Sequence, residues 1–266
     1  MRQRAENVSR GTGELTDLGV TKALVDDIAS QIEGSDIEAI RYPATWDDPV
    51  YALSVANGTQ LVRKAITEYA KTCPDSKMAW FWYSQGAHIT TNNFCGMPAI
   101  WGLDQTENKT YTKPELGQII ALSYPLSEEV TKNVISIVLF GDPSQRNDTS
   151  YNYGSWNNTG NGMFYRADTS ACEALGSRIR AYCDAGDPFC DLGKFINGTA
   201  HKKYIDNYGE EVAQFVVGKY KNGSSSVNGS SSTTSSSTST PTNGSVGFHS
   251  MSVFPFAGFL LLYLFL

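Results

Sequence analysis

The sequence predicts an α/β fold in which a mostly parallel sheet is covered by helices on both faces. Two patterns carry that prediction. Residues 78–83 and 134–140 are nearly continuous apolar runs, as strands buried on both faces require. Helical stripes alternate with these runs along the chain, as parallel crossover connections require. The size agrees: 266 residues, 41% hydrophobic and 18% charged, are enough for one sizeable core.

Each element has its own signal. Leu24, Val25, Ile28 and Ile32 fall at helical spacing, so residues 15–33 read as an amphipathic helix ending at Gly34. Ile37 to Tyr42 alternates and stops at Pro43, which marks a strand. Val62, Ala65, Ile66, Tyr69 and Ala70 form a second helical stripe that ends before Cys73-Pro74. After the strand at 78–83, residues 85–94 fit a helix and residues 98–117 an excursion loop. The strand at 134–140 is closed by Gly141-Asp142-Pro143, and residues 179–183 form another. Val212, Phe215 and Val216 place a closing helix over 211–220. One globular domain, about residues 8–220, accounts for these elements, and no internal repeat is present.

The chain beyond 220 differs in kind. Residues 221–245 are almost entirely Ser, Thr, Gly and Asn, too polar to offset the entropy of ordering, and read as an extended, glycosylated stalk. Residues 253–266 are apolar and uncharged, but 14 residues fall short of the roughly 20 that a spanning helix needs. Small residues Asn243-Gly244-Ser245, a short spacer and an apolar tail match a glycosylphosphatidylinositol attachment signal over 246–266, with Asn243 as the attachment site. The competing readings are a tail-anchored helix and a hydrophobic plug. N-x-S/T sequons begin at Asn7, Asn57, Asn108, Asn147, Asn157, Asn197, Asn222, Asn228 and Asn243, which suits an extracellular, cell-surface glycoprotein. The net charge of −6 offers no basic stripe for phosphates, so nucleic acid is not an expected partner.

Five cysteines leave one over. Cys183 and Cys190 bracket a tight segment and pair most simply with each other; Cys95 can then pair with Cys172, leaving Cys73 unpaired. Residues 1–7 contain no apolar signal segment, although the anchor signal requires secretion. The expectation is therefore that the natural chain begins further upstream, with a signal segment and a partner for Cys73.

Chemistry concentrates at residues 79–87, Ala-Trp-Phe-Trp-Tyr-Ser-Gln-Gly-Ala, where an apolar strand runs into Ser84 and then into helix-compatible sequence. That context pushes a serine out on a sharp turn as a nucleophile. By itself Ser84 reads first as an ordinary helix N-cap. A serine nucleophile needs a base, and that base needs an orienting carboxylate. Of the three histidines, His249 lies in the tail and His88 sits one helical turn beyond Ser84, on the helix leading away. His201 remains. Asp187, inside the Cys183–Cys190 loop, precedes it in the expected order, with Asp184 and Asp191 as rivals. The Trp80-Phe81-Trp82 cluster reads as core packing in preference to a substrate platform.

Cys73-Pro74-Asp75, Tyr83-Ser84-Gln85-Gly86-Ala87, Leu139-Phe140-Gly141-Asp142-Pro143, the segment from Cys183 to Cys190, and His201 with Tyr204 follow one another in order. Together they resemble the cutinase and acetylxylan esterase family of fungal serine esterases, over residues 10 to about 220. Tyr42-Pro43-Ala44 and Gly141-Asp142-Pro143 lean towards the acetylxylan esterases. The resemblance implies a cutinase-like, three-layer α/β/α hydrolase fold around about five parallel strands, of which the first is apparently missing from this chain. It implies Ser84 as nucleophile, His201 as general base and Asp187 behind it. It also implies an oxyanion hole from the Gln85 backbone N–H and the Thr12 side chain, and neither cofactor nor metal. Thr12 is also readable as a simple helix cap. The implied protein is a monomeric, secreted esterase acting on plant cell-wall polysaccharide, with acetyl groups on xylan first, or on cutin-type polyester. Trp82 stands where the family has glycine, and its bulk predicts strain at the turn. The second reading is therefore a catalytically weak relative serving as a cell-wall binding glycoprotein.

Overall fold

The computed structural model describes residues 11–13, 18–96, 124–155, 160–192, 197–225 and 260–264. Its strands are β1 (Asp36–Ala39), β2 (Lys77–Tyr83), β3 (Val134–Phe140), β4 (Asn152–Tyr153), β5 (Ile179–Tyr182) and β6 (Leu260–Leu264). Its helices are α1 (Lys22–Ser30), α2 (Tyr51–Thr72), α3 (Gln85–Phe94), α4 (Glu128–Thr131), α5 (Ser170–Ala174) and α6 (Tyr204–Ser225). The strands form one sheet in the order β1-β6-β2-β3-β5-β4, and every pairing is parallel.

Strand β2 shows how the layers arise. Side chains alternate across a strand, so Met78, Trp80 and Trp82 fall on one face and Ala79, Phe81 and Tyr83 on the other. The first set packs with Val62 and Ile66 of α2 and Ile89 of α3. The second packs with Val25 and Ile28 of α1 and Val212 and Val216 of α6. Each face is thus sealed by two helices, which is why β2 and β3 are apolar throughout. Helix α2 sits close against α3 at Gly58: an added Cβ there would lie 2.4 Å from Ile89 Cδ1.

Alternation also decides the fate of Trp82. It is fully buried on the α2–α3 face, and its ring stacks on Trp80 at 6.2 Å with 7° between planes. The turn that follows is nonetheless sharp: Ser84 has φ 55° and ψ −120°. The indole lies in the core under the helices, and the turn forms beside it.

Several elements depart from the sequence expectations. The first helix spans 22–30 within the expected 15–33, with 14–17 outside the described residues, and β1 ends at Ala39 short of Tyr42. Beyond β1 the chain turns into a loop whose Ala44 has φ 54°, a conformation that no sequence alternation reports. The closing helix begins at Tyr204, seven residues before the expected start, and extends to Ser225, inside the expected stalk. Among the described residues six strands are present where about five were expected. The additions are the two-residue β4 and β6, which comes from the apolar tail and lies between β1 and β2, hydrogen-bonded to both. A short apolar run free of charge and proline satisfies two open strand edges at once. The 98–117 loop lies outside the described residues.

Emptying the Trp82 site removes a large, fully packed side chain. Trp82→Ala is expected to lower unfolding stability by about 3–5 kcal/mol in urea titration, as for other buried aromatic truncations. A neutral or stabilising effect would contradict the packing described.

Candidate active site

The site lies at the carboxyl ends of β2, β3 and β5, where parallel α/β sheets place their crevices. Ser84 follows β2, and its N–H donates to the Phe140 carbonyl at 2.8 Å, which ties the turn to the end of β3. A non-glycine residue at positive φ is costly unless its surroundings fix it; here α3, all ten of whose residues are buried, starts immediately and holds the turn. Ser84 lines a cavity of about 570 Å³ together with Thr12, Trp46, Tyr51, Phe164, Phe189 and His201.

His201 sits in a short 3-10 turn, Ala200–Lys202, just ahead of α6. Its Nδ1 lies 2.7 Å from Asp187 Oδ2, and the Asp187 side chain has no exposed surface. The Tyr83 hydroxyl donates to the His201 carbonyl at 2.7 Å, and the Phe189 ring packs on the imidazole at 4.5 Å. Among the described residues no hydrogen bond joins Ser84 Oγ to His201; both side chains face the same cavity. Nε2 is the ring nitrogen left for chemistry, because Nδ1 is engaged by the carboxylate.

Asp187 is held from several sides. The Tyr204 hydroxyl donates to Oδ2 at 2.5 Å, the Phe189 N–H to Oδ1 at 2.8 Å and the Cys190 N–H to Oδ1 at 3.3 Å. Burial raises the carboxyl's pKa, but the bonds from His201, Tyr204 and the Phe189 N–H outweigh it and hold Asp187 below its ordinary value. The rivals are elsewhere: Asp184 accepts from Ser155, Asn207 and Tyr208, and Asp191 from the Gly186 N–H. The Cys183–Cys190 disulfide closes the Asp187 loop, and Cys95–Cys172 is also formed; Cys73 is a free, half-buried thiol.

Gly141 has a steric task that the Gly-Asp-Pro motif did not disclose. Its φ is +60°, and an added Cβ would stand 2.6 Å from His201 Cε1 and 2.7 Å from Nδ1. Only a bare backbone leaves room for the imidazole beside β3.

Thr12 is set by Gln85, the first residue of α3. The Gln85 amide nitrogen donates to the Thr45 carbonyl at 3.0 Å and to Thr12 Oγ1 at 3.1 Å, while its oxygen accepts from Ser54 Oγ at 2.7 Å. A carbonyl only accepts, so the bond to Thr45 fixes which end of the amide is nitrogen. Thr12 Oγ1 accepts from that nitrogen and keeps its own proton free to donate into the cavity. The Gln85 backbone N–H, at the start of a helix, has no intrahelical acceptor. Both expected oxyanion donors therefore stand beside Ser84.

His88 is not part of this constellation. It is buried, its Nδ1 meets the Tyr51 hydroxyl at 3.1 Å, and burial, then the nearby Arg166, push its pKa well below the ordinary imidazole value. Arg166 is itself buried and donates to Ser144 Oγ at 2.9 Å and Asn92 Oδ1 at 3.1 Å, and also to Thr91 Oγ1. Ser144 and Thr91 in turn donate to Asp142, at 2.6 and 3.1 Å. Two hydroxyls thus bridge a buried Arg166–Asp142 charge pair beneath α3. Nothing in the spacing of these residues reveals that pairing.

Of the sequons, Asn57 and Asn197 are exposed and Asn147 is half-buried; the Asn197 side-chain oxygen accepts from the N–H and hydroxyl of its own Thr199. Asn222 is exposed near the end of α6. Asn7, Asn108, Asn157, Asn228 and Asn243 lie outside the described residues.

Comparison with known proteins agrees with this architecture. The family profile described as Cutinase matches residues 7–220. An acetylxylan esterase of Hypocrea jecorina is 32% identical over 227 residues, covering 84% of this chain and 67% of the relative. Acetylxylan esterase 2 of Talaromyces purpureogenus is 30% identical, covering 76% of this chain and 80% of the relative. Cutinase 11 of Verticillium dahliae is 31% identical, covering 78% and 65%. A solved acetylxylan esterase at 0.90 Å resolution superposes with a TM-score of 0.64 at 29% identity, over 80% of this chain and 95% of that one.

Two outcomes follow from the geometry. Gly141→Ala displaces His201, and a misplacement of about 1 Å costs roughly a hundredfold in rate; ester hydrolysis should fall by that order, and the alanine, held at positive φ against a buried ring, should lower the thermal midpoint as well. The second concerns acid. Folded His88 resists protonation, whereas the unfolded chain accepts a proton near the ordinary value of 6.5. The stability His88 contributes is present above that pH and lost as pH falls below it, at up to about 1.4 kcal/mol per pH unit. The depressed carboxyl of Asp187 adds a loss only lower, as pH falls through the carboxylate range. Urea midpoints between pH 7 and 5 should show the first slope, and His88→Gln should flatten it.

Proposed function

The chain belongs to the cutinase family and is a carboxylic ester hydrolase, and on that premise we propose that it removes acetyl groups from xylan by a Ser84–His201–Asp187 acyl-enzyme mechanism. The observation that carries the proposal is the 2.7 Å bond between His201 Nδ1 and a fully buried Asp187, at the wall of the cavity that Ser84 lines. The names of the similar proteins favour acetylated xylan over cutin-type polyester.

In the first half-reaction Ser84 Oγ attacks the acetyl carbonyl while His201 Nε2 takes its proton. Asp187 holds the ring and faces the imidazolium that forms. The negative charge on the carbonyl oxygen is met by the Gln85 N–H and the Thr12 hydroxyl; loss of one such donor typically costs about 10²–10³ in rate. The tetrahedral intermediate expels the sugar oxygen, which His201 protonates to a hydroxyl, leaving acetyl-Ser84. Water, deprotonated by His201, then attacks the acyl carbon, and acetate leaves as Ser84 recovers its proton. Every proton passes through His201.

Placement on the cell surface belongs to the same proposal, supported by the sequons, the polar stretch and the apolar tail. Cleavage at Asn243 would remove β6 from between β1 and β2, so one molecule cannot keep that strand and carry the anchor. The intact mass of the mature protein and its release by a phosphatidylinositol-specific phospholipase distinguish the two forms.

Acetate release from acetylated xylan is the direct assay. The wild type should release acetate, and Ser84→Ala should lose about 10³-fold or more in kcat with its fold unchanged. Undiminished release by Ser84→Ala would refute the mechanism.

A further inference from the structure

The rim of the cavity carries an aromatic arrangement that the acyl-transfer chemistry does not use. Trp46 lines the cavity yet is 44% exposed. Its ring meets Tyr51 at 5.0 Å, inclined by 59°, and Tyr51 stacks on Phe164 at 4.9 Å. All three side chains face the cavity that Ser84 lines.

The backbone under Trp46 is unusually well fixed for a loop. The Trp46 carbonyl accepts from the Tyr51 N–H at 2.9 Å. The preceding Thr45 donates through its N–H to Ser54 Oγ at 3.2 Å, donates through its hydroxyl to the Pro49 carbonyl at 2.7 Å, and accepts from Gln85 Nε2 at 3.0 Å. Ala44, in the left-handed region at φ 54°, accepts from the Gly13 N–H at 3.0 Å. Strain at a non-glycine residue persists only where surrounding bonds over-determine it, and it gathers at working sites. The Gln85 amide that holds Thr45, next to Trp46, also holds Thr12 at the cavity that Ser84 lines.

We propose that Trp46, backed by Tyr51 and Phe164, is the platform on which a sugar ring of the polysaccharide stacks while its acetyl ester sits at Ser84. This rests on the acetylxylan reading above and extends it to a specificity-determining residue. A pyranose is apolar on its C–H faces and polar around its edge. It is best met by an aromatic face that is rigid and open to water, with the ring's hydroxyls left hydrated. The indole face carries negative quadrupole density that attracts the polarised C–H groups. An alkyl chain, in contrast, gains most from complete enclosure, which a half-exposed rim residue does not give. Because the platform is already fixed, little ordering entropy is spent on binding.

The test separates binding from chemistry. Xylohexaose, which carries no ester, is titrated by calorimetry into Ser84→Ala protein with Trp46 intact, changed to Phe, or changed to Ala. The expected result is measurable binding by the parent, a dissociation constant within about threefold in Trp46→Phe, and at least about tenfold weaker binding in Trp46→Ala, in keeping with aromatic hot-spot residues. Unchanged binding in Trp46→Ala overturns the proposal, as does absence of binding by the parent. In the Ser84-intact background, kcat/KM for 4-nitrophenyl acetate and octanoate is compared with and without Trp46. A loss confined to the octanoate ester would assign Trp46 to an acyl chain and overturn the sugar platform. Hydrolysis of 4-nitrophenyl acetate by a wild type that binds no xylohexaose removes the platform and leaves the esterase standing; xylohexaose binding without hydrolysis does the reverse.

Discussion

Keeping Asp187 ionised inside the protein is the constraint on which the open end of the sheet depends. Burial opposes the charge, and an uncompensated buried carboxylate would cost several kcal/mol. The compensation comes from separate parts of the chain: His201, the Tyr204 hydroxyl at the start of α6, and the N–H groups of Phe189 and Cys190. The Cys183–Cys190 disulfide closes the loop that brings those N–H groups to the carboxylate. Once the carboxylate is fixed, the orientation of His201 follows, because Nδ1 must face it. Gly141 then has to be glycine for the imidazole to fit beside β3.

A second bracket meets the first at Ser84. Gln85 joins Ser54 of α2, the carbonyl of Thr45 and the hydroxyl of Thr12 through one amide. Two of the residues nearest this bracket, Ser84 and Ala44, have positive φ without being glycine. Each such residue costs about 1–3 kcal/mol, which the buried α3 and the Ser54–Gln85 bonds offset. Ser84, the proposed oxyanion donors and the aromatic rim are therefore parts of one framework.

Much of this was legible in the chain. The apolar runs at β2 and β3 predicted buried parallel strands because nothing polar interrupts them. The order Ser84, Asp187, His201 was readable because only three histidines exist and one cysteine pair brackets Asp187. Trp82 shows where linear reasoning misleads. Two residues from Ser84 in sequence, it suggested a clash at the turn, whereas alternation across β2 sends its ring to the helix face, into the core with Trp80. The Arg166–Asp142 pair was not legible, since its partners meet through two hydroxyls from different elements. The left-handed Ala44 and the rim position of Trp46 were likewise hidden, because irregular loops carry no period. Strand β6 shows that an apolar tail without helical length can complete a sheet, a use its composition does not separate from a membrane signal.

A fluorophosphonate probe followed by peptide mass mapping reads whether Ser84 is a nucleophile activated by His201 and oriented through Asp187. One adduct is expected, on Ser84, formed rapidly in the wild type and slowly in folded His201→Ala. An adduct on a different residue, or unlabelled Ser84 in folded wild-type protein, would overturn that assignment.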